Sequence, residues 1–193
     1  PQITSLSVTD TGENGSVTLS GTYTDTGTQD THELTIDWGE GSPETVSVSG
    51  GAFSVTHQYL DDNPTNTPGD DYTIDVTLTD DDGGSDAGSV TATVSNVAPT
   101  MAGVAATAID ENGTTTLSGQ IVDPGTQDTF TLVVQWGDGQ SDTYSYAAGT
   151  TAFSETHQYL DDNAADTNTI SLTLTDDDTG QDVETADVTV TNV

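Results

Sequence analysis

Apolar and polar residues alternate along much of this chain with a period of two. Apolar or aromatic side chains occupy every second position of 34–38, 53–59 and 74–78, and again of 132–136 and 170–174. Successive side chains of a strand point to opposite faces, so this alternation predicts strands with one buried face. Since no stretch carries apolar residues at the 3.6-residue spacing of a helix, the sequence predicts an all-β protein.

The second half of the chain repeats the landmarks of the first half. Three motifs recur: Trp-Gly-Glu-Gly at 38–41 as Trp-Gly-Asp-Gly at 136–139, His-Gln-Tyr-Leu-Asp-Asp-Asn at 57–63 and 157–163, and Leu-Thr-Asp-Asp-Asp at 78–82 and 174–178. The changes in spacing between the copies fall where loops are expected, as in a repeated domain. The repeat predicts two domains, 1–97 and 98–193, of about 95 residues each.

Each copy is expected to hold about seven short strands. In the first copy we place them near 3–9, 15–24, 32–38, 44–48, 52–59, 72–79 and 87–96. Seven short antiparallel strands in about 95 residues are typical of an immunoglobulin-like (Ig-like) sandwich. The predicted fold is therefore two tandem Ig-like antiparallel β-sandwiches.

Several landmarks resemble polycystic-kidney-disease (PKD) domains, and all but the last of them recur in the same order in both copies. They are the Trp-Gly-Asp-Gly turn, the His-x-Tyr strand end, the Leu-Thr-Asp run with its following Gly83 or Gly180, and Asn-Val-Ala-Pro at 96–99. The resemblance covers both copies end to end, and Glu40 is the departure in the first turn. It implies an Ig-like fold, a tandem arrangement in a bacterial surface or secreted protein, and a role as a spacer or as a carbohydrate- or protein-contacting module, not as an enzyme.

The charge of the chain changes this picture. There are 33 acidic residues and no Lys or Arg, so the formal net charge is −33. The hydrophobic fraction of 31% lies below the usual ~45–50% of globular proteins, and only the alternation argues against disorder. Like charges about 5 Å apart repel by roughly 3 kcal/mol at an effective dielectric constant near 20. Clustered carboxylates must therefore be spread apart, protonated or neutralised by a bound cation.

Composition also excludes several classes of function. Without a basic patch the chain is not expected to bind nucleic acid or an anionic membrane. No apolar run approaches the ~18 residues of a membrane span, so no membrane insertion is expected. The absence of Cys excludes disulfides and thiol catalysis. Ser/His/Asp patterns and a cleft-forming insertion are also missing, so the sequence does not predict an enzyme.

Calcium is the cation expected here, because Ca²⁺ takes 6–8 oxygen ligands from carboxylates, carbonyls and water. An Ig-like sandwich brings the loop between strands two and three to the same end as the loop between strands six and seven. The first expected ligands are the acids of these loops: Asp25, Asp30, Asp80, Asp81 and Asp82 in copy one, and Asp123, Asp128, Asp176, Asp177 and Asp178 in copy two. The alternative is that these acids are solvated turn residues, since Asp is favoured in turns for backbone reasons.

A second ligand set is expected in the loop between strands five and six of the first copy. It consists of Asp61, Asp62 and Asn63. Because this loop belongs to the opposite end of its sandwich, we expect it to face the acidic loops of the second copy across the junction, with Asn96 between them. No loop matches the EF-hand pattern with its terminal Glu.

The histidines leave two alternatives open. His57 and His157 could ligate a transition metal, but a His two residues before a strand-end Tyr is more often a packed residue whose ring bonds to the backbone. His32 breaks the repeat, since its counterpart is Phe130, and we expect it to be exposed. Glu155 replaces Val55 on a face that should pack against the core, which predicts an edge or a solvent opening there.

The sequence as a whole predicts a non-enzymatic, extracellular structural repeat that binds calcium and is rigidified by it. It would form part of a stalk, adhesin or filament at the cell surface, with neighbouring repeats or other copies of the chain as partners. An alternative is a glycan- or protein-binding module in which Tyr144 and Tyr146 present aromatic faces. A third hypothesis is salt adaptation, in which the acids only hold water and solubility.

Overall fold

The computed structural model of the protein describes residues 1–62 and 65–193, so Asn63 lies outside the described residues. The described residues divide into two compact units. The first unit consists of Pro1–Thr65 and Gly69–Ser95, and the second of Asn96–Val193 together with Asn66–Pro68. The domain boundary expected after residue 97 stays a prediction. In the described ranges no helix has the length and apolar character that crossing a membrane requires.

Within the described residues, the first unit has eight strands in two sheets. The strands are β1 (Gln2–Val8), β2 (Thr11–Gly12), β3 (Ser16–Thr24), β4 (His32–Asp37), β5 (Glu44–Val48), β6 (Ala52–Gln58), β7 (Gly69–Asp80) and β8 (Ser85–Ser95). One sheet has the order β1-β3-β6 and the other the order β2-β8-β7-β4-β5. Neighbouring strands are antiparallel, except that β2 pairs with β8 in parallel.

The second unit repeats this topology. Its strands are β9 (Thr100–Ala106), β10 (Ile109–Asp110), β11 (Thr114–Val122), β12 (Phe130–Gln135), β13 (Ser141–Tyr146), β14 (Ala152–Gln158), β15 (Thr167–Asp176) and β16 (Gln181–Thr191). The two sheets have the orders β14-β11-β9 and β10-β16-β15-β12-β13. The short β10 again pairs with the last strand, β16, in parallel.

Strand register places the alternating apolar residues in one core per unit. In β4, Leu34 pairs with Leu78 of β7 and Ile36 pairs with Val76, and all four side chains are buried. The same register in the second unit sets β12 against β15, where the buried Leu132 pairs with Leu174. Each inner face therefore contributes every second residue to the space between its two sheets, as the period of two requires.

The predicted fold class is confirmed: each unit is an Ig-like β-sandwich, and the seven expected strands of the first unit are present. The sequence missed β2 and β10, which are two residues long and too short to show a period. Strand β7 begins at Gly69, three residues earlier than expected, because pairing with β8 extends through polar residues to Ser95.

Glycines fix the turn that follows each core tryptophan. Gly39 and Gly137 have φ of 83° and 84°, a region that favours glycine because it has no side chain. A Cβ added to Gly137 would lie 2.6 Å from the carbonyl oxygen of Thr169, and one on Gly39 would lie 3.1 Å from that of Thr73. The turn therefore needs glycine both for its backbone conformation and for its close packing.

Candidate functional site

Three carboxylates gather at one end of the first unit. Glu13 follows β2, whereas Asp61 and Asp62 follow β6, and one oxygen of each lies within 4.8 Å of the other two. All three residues are buried. The backbone fixes the group, since the Glu13 N–H donates to the Ser95 carbonyl at 3.0 Å and the Asp62 N–H donates to Asp61 Oδ1 at 2.9 Å. We call this group the first trio.

The second unit forms the same group from the corresponding loops. One carboxylate oxygen from each of Glu111, Asp161 and Asp162 lies within 4.8 Å of the others, and we call this group the second trio. The Glu111 N–H donates to the Thr191 carbonyl at 2.9 Å, as Glu13 does in the first unit. The second trio is more open, since Asp161 is exposed and the other two members are half-buried.

The expected ligands included Asp61 and Asp62 but not Glu13, although loop sorting places Glu13 at the same end. In the second unit Glu111, Asp161 and Asp162 were not expected as ligands. The signal that could have found the glutamates is the Glu-Asn-Gly motif, which recurs at 13–15 and 111–113. The loop sorting expected of a sandwich puts this turn at the same end as the loop after the fifth long strand. Combining the motif with that sorting would have completed both trios.

The other end of the first unit gathers Asp25, Asp30 and Asp80, as the loop sorting predicted. One oxygen of each lies within 4.8 Å of the other two, and all three residues are half-buried. Asp25 Oδ1 accepts from the Gly27 N–H at 3.0 Å, and His32 Nε2 donates to Asp25 Oδ2 at 2.7 Å. The Pro1 ammonium lies 3.3 Å from the same Oδ2.

These contacts move the pKa values of two carboxyls in opposite directions. The hydrogen bond from Gly27, followed by the one from His32, holds the pKa of Asp25 well below its usual value of 3.8. Desolvation and the neighbouring charge of Asp25 raise the pKa of Asp30. The opposite shifts show that Gly27 and His32 offset the charge of Asp25 but not that of Asp30, whose repulsion a bound cation would relieve.

Asp81 and Asp82 do not join that group. Asp81 Oδ1 accepts from the Thr31 N–H at 2.9 Å, and the Asp82 N–H donates to Asp80 Oδ1 at 3.1 Å. Both side chains belong to exposed residues. In the second unit Asp177 has the role of Asp81, since its Oδ1 accepts from the Thr129 N–H at 2.7 Å.

The corresponding end of the second unit assembles a slightly different set. The buried Asp128 has carboxylate oxygens within 4.8 Å of Asp123 and of Asp178. Asp176 instead accepts from the Gly180 N–H at 2.6 Å and from Asn96 Nδ2 at 3.0 Å. Asn96 thus contacts one of the expected loops, and the metal-binding role of all these residues stays a prediction.

Tryptophan, histidine and a carboxylate form a stack in each unit. In the first stack the rings of Trp38 and His57 are 4.7 Å apart and 10° from parallel, and His57 Nε2 donates to Glu40 Oε1 at 2.9 Å. In the second stack Trp136 and His157 are 4.5 Å apart and 8° from parallel, with Asp138 Oδ2 as the acceptor at 2.8 Å.

Neighbouring groups hold both stacks in place. The edge of Tyr59 meets the His57 ring at 4.8 Å, and its hydroxyl donates to the Trp38 carbonyl at 2.6 Å. Tyr159 makes the same two contacts in the second unit. Desolvation disfavours the charged form of Asp138, but hydrogen bonds from His157 and the Gln140 N–H outweigh it and lower the pKa of Asp138.

The predictions about the histidines are corrected in two respects. His57 and His157 are packed as expected, but their rings bond to carboxylates and not to the backbone. Among residues 1–62 and 65–193, no group of three metal-ligating side chains includes a histidine. The expectation that His32 is exposed is wrong: its side chain is 8% exposed and packs against Tyr23, because it occupies the inward-facing position that Phe130 occupies in β12.

Glu155, an acid on a strand face that was expected to pack against the core, has a hydrogen-bond partner close by. Tyr146 Oη donates to Glu155 Oε1 at 2.9 Å, which links β13 of one sheet to β14 of the other. Tyr144 and Tyr146 are half-buried and pack against the core of the second unit. Glu155 is thus the acceptor for a phenol that the first unit lacks, since Val48 stands at the position of Tyr146.

Comparison with known proteins shows the fold alone. No protein-family model matches the chain, and no curated protein matches it in sequence. A two-domain fibronectin type III segment of chicken tenascin is similar in structure, with a TM-score of 0.52 and 11% identity over 98% of this chain and 99% of that one. At this identity the likeness supports a tandem pair of Ig- or fibronectin-type sandwiches, and the PKD assignment stays a prediction.

Two further solved structures align less closely. The FN1–FN3 domains of chicken CNTN1 give a TM-score of 0.34 at 11% identity over 99% of this chain and 67% of that one. A tetra-tandem repeat in the extending region of a large adhesion protein gives a TM-score of 0.49 at 18% identity. The alignment covers 96% of this chain but only 49% of the adhesion-protein chain.

Proposed function

We propose that this chain is a non-enzymatic, extracellular structural repeat whose units bind Ca²⁺ and are stiffened by it. It would form part of a stalk, adhesin or filament at the cell surface, with neighbouring repeats or other copies of the chain as partners. The observation that carries this proposal is the recurrence of the trio. Glu13, Asp61 and Asp62 converge in one unit, and their counterparts converge in the other.

Charge supports a cation at these places. The protein has no Lys or Arg, so neither side chain can balance three carboxylates that lie within 4.8 Å of one another. Repulsion at this distance costs several kcal/mol per pair at an effective dielectric constant near 20. A divalent cation converts that repulsion into attraction, and the gain is realised only in the folded state, where the loops meet.

The ligand chemistry favours Ca²⁺ over a softer or smaller ion. All ligands of the trios are oxygens, which suit hard cations and not the transition metals that prefer imidazole or thiolate. Ca²⁺ accepts irregular sets of 6–8 oxygens at about 2.3–2.6 Å, and loop carbonyls and water can complete them. Mg²⁺ demands a near-ideal octahedron, which loops of different lengths supply less readily.

The glycan-binding alternative gains no support from the geometry. It required exposed aromatic faces at Tyr144 and Tyr146, but both rings pack against the core. The hydroxyl of Tyr146 is also engaged by Glu155. Little ring surface is left for stacking on a sugar, so the structural role is the better-supported proposal.

Calorimetric titration of Ca²⁺ into the chelator-treated chain in high sodium tests this proposal. We expect saturable binding with defined stoichiometry, in which E13Q/D62N removes one class of sites and E111Q/D162N another. Exposed strand acids supply the matched controls, E33Q in the first unit and E184Q in the second, and these should bind as the wild type does. Broad, weak uptake that all four variants share would contradict specific binding and favour salt adaptation.

A further inference from the structure

The Trp–His–carboxylate stacks take no part in the proposed calcium sites, but each contains an imidazole that can take up a proton. The chain contains no Lys or Arg and 3 His, so only imidazoles can become positively charged side chains. His57 and His157 both lie with one face on an indole and with Nε2 on a carboxylate. An unperturbed imidazole takes up its proton near pH 6.5.

Protonation would strengthen both contacts of each ring. A cation over the face of Trp is attracted by the electrons of the indole, and a hydrogen bond from a charged donor to a carboxylate is stronger than one from a neutral donor. The two contacts lie on different sides of the imidazole, so they add to each other. A neutral ring keeps the same geometry with weaker attraction.

The groups that face the imidazoles are acidic or neutral. Around His57 they are Glu40 in the turn after β4, Glu44 on the Trp38 indole nitrogen, and the phenol of Tyr59, against which Tyr72 packs. Around His157 they are Asp138, Asp142 on the Trp136 nitrogen, Tyr159 and, two residues earlier on β14, Glu155. Each positive charge would therefore meet carboxylates and not another cation.

We propose that His57 and His157 act as positive counter-charges when they are protonated. Each then holds the turn after the core tryptophan to the neighbouring sheet, and this contact is stronger in mildly acidic than in neutral solution. The imidazole lies on β6 or β14 of one sheet, while the tryptophan and the carboxylate lie just after β4 or β12 of the other sheet. The contact bridges the two sheets, so its strength affects the stability of each unit. This inference does not depend on Ca²⁺ binding.

Tryptophan fluorescence provides a direct test, because the protein has 2 Trp and each stands in a stack. A protonated imidazole in contact with an indole quenches its emission. At fixed calcium and salt, we expect emission to fall as the pH is lowered from about 8 to about 5. H57Q and H157Q should each remove one part of the fall, and the double variant should remove all of it.

The control for this titration is H32F, which copies the phenylalanine of the second unit and leaves both stacks intact. It should retain the full fall in emission. Emission that does not depend on pH, or a fall that survives in H57Q/H157Q, would overturn the proposal.

Conservative changes of the carboxylates separate charge from packing. E40Q and D138N keep the stacked rings but remove the negative partner, so the fall in emission should move to lower pH. In parallel, the melting temperature of the wild type should exceed that of H57Q/H157Q by more at about pH 5.5 than at about pH 8. An equal difference at both pH values would show that the rings serve packing alone and would refute the counter-charge.

Discussion

The two units share a topology but differ along the edge where β5 meets β6 in the first unit and β13 meets β14 in the second. In the first unit Val46, Val48 and Val55 line an open groove of about 470 Å³. In the second unit Tyr144 and Tyr146 stand at the positions of the two β5 valines, and Tyr146 donates to Glu155. Three substitutions that look unrelated in the sequence thus form one exchange, in which two aromatic rings and a hydrogen bond replace aliphatic side chains.

A similar exchange occurs at the end of the sandwich where β4 and β12 begin. In the first unit Asp25, Asp30 and His32 line a cavity of about 870 Å³. In the second unit Ile121, Val122 and Phe130 contribute to a cavity of about 440 Å³. Both units keep acidic residues at this end, since Asp123 is the counterpart of Asp25, but Phe130 replaces His32 in the second unit. At each exchanged place the polar group has a partner, since His32 donates to Asp25 and Tyr146 donates to Glu155.

The largest difference between the two units should be the stability that each loses when calcium is removed. The first trio is buried, whereas the second is half-exposed. Ca²⁺ at about 100 times its dissociation constant adds about 2.7 kcal/mol of stability, which corresponds to roughly 10 °C or more for a unit of this size. In scanning calorimetry the variant E13Q/D62N should lose more of this gain than E111Q/D162N, because solvent screens buried charges less.

The same experiment includes a control in which the melting temperature should change in the opposite direction. In EGTA, E13Q/D62N should melt at a higher temperature than the wild type, because two repelling charges are gone. A wild type that melts equally with and without Ca²⁺ would exclude the trios as calcium sites.

The Tyr146–Glu155 contact should give the next largest effect. Y146F leaves a half-buried carboxylate oxygen without its phenol donor, so we expect the second unit to lose about 1–2 kcal/mol of unfolding free energy in urea denaturation. Y144F, which keeps that hydrogen bond, is the matched control and should lose little. The double variant Y146V/E155V, which copies the first unit, should be less destabilised than the sum of its single changes; additive losses would show that the exchange is not coupled.

The smallest effect is expected from H32F, and it should appear only in acid. The pKa of Asp25 is lowered by Gly27 and His32, so Asp25 contributes stability that is present above its usual value of 3.8 and is lost as the pH falls below it. Without His32 the pKa of Asp25 moves closer to that value, and the stability of the first unit should fall less steeply with acid. Urea unfolding at a series of pH values measures the slope, and an unchanged slope would show that His32 does not act on Asp25.

The alternation of apolar residues was sufficient to predict the strands and the sandwich, because burial of one strand face dictates it. Loop sorting then placed Asp25, Asp30 and Asp80 together. It also puts the turn of Glu13 at the same end as Asp61, but the approach of the two carboxylates depends on the two-residue β2, which is positioned by pairing with β8. The Glu155 partner could not be predicted either, because one sequence shows an acid on a buried face without showing the phenol that lies opposite.

The parallel pairing of β2 with β8, and of β10 with β16, has a mechanical consequence. It joins a segment near the start of each unit to the unit's last strand, and the Glu13 and Glu111 N–H groups extend the pairing by one further hydrogen bond. Tension applied between the two ends of a unit would load these bonds side by side in shear, so that they must break together and not one after another. Resistance to pulling would thus be concentrated in a few residues of each sandwich, directly beside the glutamates of the trios.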